Sequence, residues 1–381
     1  MAEISSAERW RCNAELLLVS ERAIAPETPL FELSLHSLPG RRLLFKDESM
    51  HPTGSLKHRL ARALVLQGLR SRAIGEGTAL FDASSGNTAI AEAWFAQLLR
   101  LPYFAVVPDT LSPGKRELIE RVGGHCIRVP AGQCCKREAA RLAAARGGYY
   151  LDQFVNAARA VDWREHNVIS ELYGQLGLRS FPVPDWFVMG AGTGGTATCA
   201  GRYFRNTGVK TRVFVVDPED SAFFSFHRHG CNPSGCICAS RVEGIGRPVV
   251  EPSFTPSLVD RMTVVPDAAS YGAARWLSEK LGRPVGVSTG CNVIGAVELL
   301  DAMHTGTVAT LICDDGARYA GTLDNPSWLT RQDLETAPWE RALETWRSTG
   351  RWLPPITARA SHNRLTSMRH AATGATLRPG A

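Results

Sequence analysis

No apolar run in this chain approaches the length that a membrane span needs, so no membrane role is expected. Charge of one sign is nowhere concentrated either. The 43 basic and 37 acidic residues leave a formal charge of +6, scattered without blocks and without the aromatic-basic interleaving of nucleic-acid binders. No nucleic-acid partner is expected, and a small anionic substrate is easily accommodated. The chain starts without the n-region, apolar h-region and cleavage site of a leader, so its ten cysteines read as reduced thiols of a cytoplasmic protein. No internal repeat stands out. The scarcest side chain is the most informative, because only six of the 43 basic residues are lysines.

What is present is an ordinary enzyme-like composition. The 381 residues, 44% hydrophobic and 21% charged, suffice for two lobes with their own cores. Short β-rich runs alternate with longer segments of helical apolar spacing, the pattern of α/β units around parallel sheets. A first lobe, residues 1–160, is expected to hold strands over 43–46, 79–82, 104–107 and 126–129. Its helices are expected over 8–22, from Lys57, over 87–99, from Ser112-Pro113 and over 135–145. A second lobe, 161–325, reads as strands over 186–189, 213–216 and 308–313 with helices over 196–205, 268–281 and 292–303. Beyond about Asn325 the pattern fails, so 326–381 reads as an extension with a mobile end over 361–381.

Lys57 lies in Pro52-Thr53-Gly54-Ser55-Leu56-Lys57-His58-Arg59. A lysine at a helix start is ordinarily just exposed, but the glycine-containing turn before this one can bring its amine into a cleft. Lys46 sits between Phe45 and Asp47-Glu48, where salt bridging is expected, and Lys115, Lys136, Lys210 and Lys280 have polar, surface-like neighbours. Ser84-Ser85-Gly86-Asn87-Thr88 follows a strand and opens a helix, so amides and hydroxyls converge where a carboxylate is stabilised. A serine N-cap is the plainer reading, yet four small polar residues around one glycine exceed what a cap requires. The Asn87 amide is placed to meet a ring oxygen. Gly190-Ala191-Gly192-Thr193-Gly194-Gly195 stands between a strand and a helix as a phosphate cradle, and Ser288, in Ser288-Thr289-Gly290, offers a hydroxyl to a pyridine nitrogen. An imine-forming lysine, an anion-holding turn and a phosphate cradle are the parts that hold pyridoxal 5′-phosphate and activate an amino acid.

The glycine loop also matches G-x-G-x-x-G, with Asp217 ending the next strand, so a nicotinamide dehydrogenase is a rival. Against it, Thr193 and Thr196 suit a phosphate monoester, and a dehydrogenase gives Lys57 and the serine-rich turn nothing to do. His227, His229, Cys231, Cys236 and Cys238 tempt a zinc reading, but the spacing H-x-H-x-C-x4-C-x-C fits none of the usual paired-ligand patterns. An irregular loop with free thiols and no metal is expected there. Cys134-Cys135 and Cys291 read as packing residues.

From about Phe31 to Tyr319 the chain resembles the cysteine-synthase superfamily of pyridoxal-phosphate enzymes, and within it most the bacterial L-cysteine desulfhydrases. The motifs that carry the resemblance are Phe45-Lys46-Asp47-Glu48 through Arg59, Ala83 to Ala89, Asp152-Gln153-Phe154, Gly190 to Thr196, Val216-Asp217-Pro218-Glu219, Glu243-Gly244-Ile245-Gly246, Ser288-Thr289-Gly290 and Asp314 to Tyr319. The resemblance implies fold type II, similar to the tryptophan-synthase β chain. Each of two lobes is then a mainly parallel twisted sheet flanked by helices, with the cofactor in the cleft between them. It implies that Lys57 carries the cofactor and serves as the α-proton base, and that Asn87 meets the ring hydroxyl. Gly192, Thr193, Gly194, Gly195 and Thr196 hold the phosphate, and Ser288 the ring nitrogen. Ser84, Ser85, Gly86, Thr88 and Gln153 surround the substrate carboxylate. A homodimer acting on L-cysteine or an activated serine is implied as well.

A serine at the ring nitrogen, unlike a carboxylate, does not hold that nitrogen protonated, which favours rapid loss of a β-substituent. The expected reaction is β-elimination of L-cysteine to pyruvate, ammonia and hydrogen sulfide. β-Replacement of the cysteine-synthase type is the alternative within the same chemistry.

Overall fold

The computed structural model describes residues 5–231 and 240–355. In chain order the strands are β1 (Leu30–Leu33), β2 (Arg41–Asp47), β3 (Leu80–Asp82), β4 (Tyr103–Pro108), β5 (Gly124–Val129), β6 (Tyr149–Tyr150), β7 (Trp186–Gly190), β8 (Arg212–Pro218), β9 (Arg261–Val265) and β10 (Gly306–Ile312). The helices are α1 (Ser6–Ile24), α2 (Lys57–Arg70), α3 (Asn87–Leu98), α4 (Pro113–Glu120), α5 (Cys135–Ala145), α6 (Gln153–Ala160), α7 (Val168–Leu178), α8 (Gly195–Thr207), α9 (Phe223–His229), α10 (Asp267–Leu281), α11 (Val287–Ala302), α12 (Pro326–Arg331) and α13 (Ala337–Thr349). No helix among the described residues is long and apolar enough to cross a membrane.

Two sheets result, a six-stranded one in the order β1-β2-β10-β7-β8-β9 and a four-stranded one in the order β5-β4-β3-β6. Every pairing is parallel except that of β1 with β2. The strands read as continuous apolar runs because both faces are covered, and the side chains sort by the strand period of two. In the larger sheet Leu43, Phe45, Val188, Phe214 and Val308 enter one core while Leu44, Phe187, Met189, Val213 and Ala309 enter the core opposite. In the smaller sheet Leu80, Tyr103 and Ala105 face one core, and Phe81 and Val106 the other. Each fully buried Leu or Phe contributes about 1.5–3 kcal/mol to keeping these layers together. This architecture bears out the α/β, two-sheet expectation.

Sheet membership does not follow chain order throughout. Residues 30–47 hydrogen-bond into the larger sheet although they precede residue 160. Three further departures have local reasons. The last long core helix begins at Val287, five residues before the expected start at 292, so Ser288, Thr289 and Gly290 are its first turn. Gly290 is tolerated because a Cβ there would lie 1.9 Å from the Ser270 carbonyl oxygen, and α10 passes that close. Past Asn325 the chain continues as α12 and α13, contrary to expectation. Trp339, Leu343 and Trp346 recur at helical spacing and are buried against α10. The stretch from 223 to 229 is helical where an irregular loop was expected to begin, while Cys236, Cys238 and the expected mobile end at 361–381 lie outside the described residues.

Parallel strands deliver their following loops to one edge. The turn before Lys57 follows β2, the serine-rich turn follows β3, the glycine loop follows β7, and Cys313-Asp314 follows β10.

Candidate active site

Lys57 is placed by the turn that precedes it. Gly54 adopts φ +67, and a Cβ there would lie 2.5 Å from an Arg318 guanidinium nitrogen. The turn is tied to the end of β10 by Leu56 N–H to Cys313 O, 2.9 Å, and Asp315 N–H to Gly54 O, 3.0 Å. Two residues into α2, Arg59 donates from Nε to Glu48 (2.6 Å) and from Nη1 to Glu171 (2.8 Å). Lys46 Nζ, 0% exposed, donates to Glu171 at 2.6 Å and to Gln175 at 2.8 Å. The salt bridge expected at Lys46 is therefore present, and it fixes the base of α2.

Lys57 opens onto a cleft of about 540 Å3 that is also lined by Asn87, Gly192, Thr193, Gly194, Thr196 and Ser288, together with Cys313 and Asp314. These residues, from five widely separated stretches, meet here. Gly195 and Thr196 face a second, more apolar cavity of about 470 Å3 that shares Lys57 and Thr193.

The glycine loop needs its glycines. A Cβ on Gly192 would lie 2.2 Å from the Gly244 carbonyl oxygen. Gly194 is at φ +83, with Phe254 atoms 2.5–2.8 Å from where its Cβ would be. Gly195 N–H donates to Thr193 Oγ1 at 3.2 Å, while the backbone N–H groups of Thr196 and Ala197 at the start of α8 face an anion unobstructed, and the helix dipole adds to them. A phosphate monoester fits this cradle.

Asn87 opens α3, and both ends of its amide are engaged. Nδ2 donates to Asp314 Oδ2 at 2.6 Å and to the Tyr319 hydroxyl at 3.2 Å, while Oδ1 accepts from Arg318. A ring oxygen reaching Asn87 must displace the longer contact, that to Tyr319. Asp314 is 3% exposed, and its Oδ1 has no hydrogen-bond partner. Burial raises its carboxyl above the ordinary range, opposed by Tyr319, Asn87 and the charge of Lys57. At the floor, Ser288 is 4% exposed and hydrogen-bonded to the Cys313 thiol, to which Asn292 Nδ2 also donates at 3.3 Å. Burial, with Asp314 nearby, pushes that thiol up to about 11.

Ser84, Ser85, Gly86, Thr88 and Gln153 adjoin the cleft through Asn87 and are not among the residues lining it. They do come together. Thr88 Oγ1 donates to Gln153 Oε1 at 2.8 Å, and Ser84 Oγ accepts from Ala89 N–H at 3.1 Å. Gly86 leaves α3 without a side-chain cap. Gln153 follows Asp152, which is held at φ +46 as the cap of α6, a strained position for a non-glycine residue.

Asp314, Tyr319, Arg318 and Cys313 received no role from the sequence. The available signal was a run of polar residues directly after an apolar strand. Asp217, which made a dinucleotide plausible, is 0% exposed and turned back to accept from Phe224 N–H at 2.8 Å. Burial pushes its carboxyl up to about 7, and it is not presented to a ribose.

A profile of the family described as pyridoxal-phosphate dependent enzyme matches residues 23–314. L-cysteine desulfhydrase Cds1 of Mycobacterium tuberculosis is 46% identical over 360 residues, covering 91% of this chain and 97% of its own length. Among solved structures, a hydrogen sulfide-producing enzyme of Fusobacterium nucleatum superposes with a TM-score of 0.72 at 25% identity, covering 81% of this chain and 92% of that one. O-ureido-L-serine synthase superposes with a TM-score of 0.71 at 25% identity, covering 86% and 100%. The chain therefore belongs to the pyridoxal-phosphate dependent enzymes, within the cysteine-synthase superfamily.

Proposed function

We propose that this enzyme eliminates the β-thiol of L-cysteine, giving hydrogen sulfide, pyruvate and ammonia. The observation that carries the reading is the meeting of Lys57, the Gly192–Thr196 cradle and Ser288 in one cleft, in a chain 46% identical to an L-cysteine desulfhydrase. When bound, pyridoxal phosphate supplies an electron sink that makes the substrate's α-proton acidic. Gly192 to Thr196 would hold its phosphate, Ser288 would meet its ring nitrogen and Asn87 its ring oxygen. Lys57 would tether it, and the Nζ amine of Lys57 is the base placed to take the substrate's α-proton. Ser84, Ser85, Gly86, Thr88 and Gln153 take the substrate carboxylate. Asp314 balances charge beside Lys57. Loss of the sulfur leaves an unsaturated three-carbon fragment, and one water converts it to pyruvate and ammonia.

β-Replacement is the second reading, favoured by the likeness to O-ureido-L-serine synthase. We take the working enzyme to be a cytoplasmic homodimer with lobe boundaries near residues 160 and 325. The test is the absorption spectrum of wild type and Lys57→Ala before and after adding L-cysteine, with sulfide and pyruvate assayed together. A band between roughly 410 and 430 nm that Lys57→Ala alters, with both products formed, is the expected result. Sulfide without pyruvate in the presence of a second nucleophile points to replacement. Absence of the band from both proteins sinks the assignment.

A further inference from the structure

Beneath the serine-rich turn, two acidic side chains meet in the core of the smaller sheet. Asp82 ends β3, Glu92 lies in the second turn of α3, and both are 0% exposed. Tyr103 donates to Glu92 Oε2 at 2.8 Å. Glu92 Oε1 and both Asp82 oxygens have no donor among the described residues, although the two carboxyls are within hydrogen-bonding reach of each other. Two carboxylates so placed are each an acceptor without a partner. A single proton between them turns the unsatisfied oxygens into a donor and an acceptor.

The pair also touches the site. The backbone amides of Ala83 and Gln153 approach the Asp82 carboxyl. Ala83 leads into Ser84 and Ser85, and Gln153 is bonded to Thr88. The Asp82 carboxyl thus lies beside the two segments assigned to the substrate carboxylate, its oxygens still short of a full hydrogen bond from either. We propose that Glu92 donates a shared proton to Asp82, and that this acid pair is a positioning device that holds the 84–88 turn and the start of α6 in register for the substrate carboxylate. The proposal rests on the reading of that turn given above.

The groups facing the pair are of the same kind. Asp152 comes from the α6 cap, Tyr103 from β4 and Tyr150 from β6. Burial first, then mutual repulsion, raises Glu92 well above its ordinary range, and burial takes Asp82 up to about 6. Because folded values exceed unfolded ones, the pair's contribution is complete below the ordinary carboxyl range. It is lost as pH rises and the shared proton leaves.

The test measures KM for L-cysteine and melting temperature of the holoenzyme between about pH 6 and about pH 9, for wild type, Glu92→Gln and Asp82→Ala, with infrared spectra of the carboxyl region. Glu92→Gln puts a permanent donor where the proton sits. Wild type is expected to show a protonated-carboxyl band at neutral pH that Glu92→Gln lacks, and an alkaline rise in KM that Glu92→Gln abolishes. Asp82→Ala is expected to raise KM about tenfold with kcat little changed. Should Asp82→Ala fail to fold, the Glu92→Gln profile decides. Absence of the band from wild type, or a Glu92→Gln profile that follows wild type, overturns the proposal. Ser85→Ala separates it from the reading beneath it: if Ser85→Ala leaves KM unmoved, the substrate-site reading fails, and the positioning role with it, whatever the infrared band shows.

Discussion

Arg59 shows how much of this site is held by a residue that never enters it. Glu48 is 0% exposed, and with Arg59 gone it retains only Thr28 and His51 as partners. Arg59→Ala is expected to cost about 3–5 kcal/mol, because it strands a buried charge. The pH dependence has a definite sign. Burial raises Glu48 and Glu171, but Arg59, with His51 at Glu48 and Lys46 at Glu171, more than reverses it, leaving Glu48 well below its ordinary range and Glu171 at about 2. Folded values lie below unfolded ones, so the stabilisation is present above about pH 4.3 and fades as pH falls toward 2. The urea midpoint of wild type should drop through that window. That of Arg59→Ala should start lower and fall less, and parallel curves would show that the pairing is not the cause.

Among the elements, α10 and α11 carry the tightest constraint. Gly290→Ala places a Cβ 1.9 Å from Ser270 O and 2.6 Å from Ala274 N. Both are backbone atoms, so one helix must move. A loss of about 1–3 kcal/mol in urea unfolding is expected, and wild-type stability would refute the close approach. The same contact explains what the sequence hid. α5 was legible to the residue because Ala139, Leu142 and Ala143 form a simple buried stripe under an exposed polar face. α11 is buried almost all round, so its first turn, with two glycine or β-branched residues in Ser288-Thr289-Gly290, showed no period to read. α6, α7 and β9 went unread, although Asp152 caps α6 and Asn167 with Ser170 forms a capping box at the start of α7. At the site, Lys57, the glycine loop and Ser288 were legible from local turn chemistry. Asp314 and Tyr319 matter through partners more than 200 residues away in the chain, as the separation of 227 between Asn87 and Asp314 records, and no local pattern carries that.

At the scale of the molecule, the larger sheet is assembled from both ends of the described chain. β2 lies between β1 and β10, and residue 41 pairs with residue 306. The turn that places Lys57 is tied to residues 313 and 315. Such long-range pairing forms late. On the ribosome, then, the lysine is made early and stays without a site until nearly the whole chain has emerged. Capture of pyridoxal phosphate is thereby reserved for a finished polypeptide. A chain stopped after residue 305 should bind none, even though every residue assigned to the phosphate and the substrate has already been synthesised. A 410–430 nm band, of the kind expected for the whole enzyme, appearing in that fragment would show that nascent enzyme loads its cofactor before its central sheet is complete.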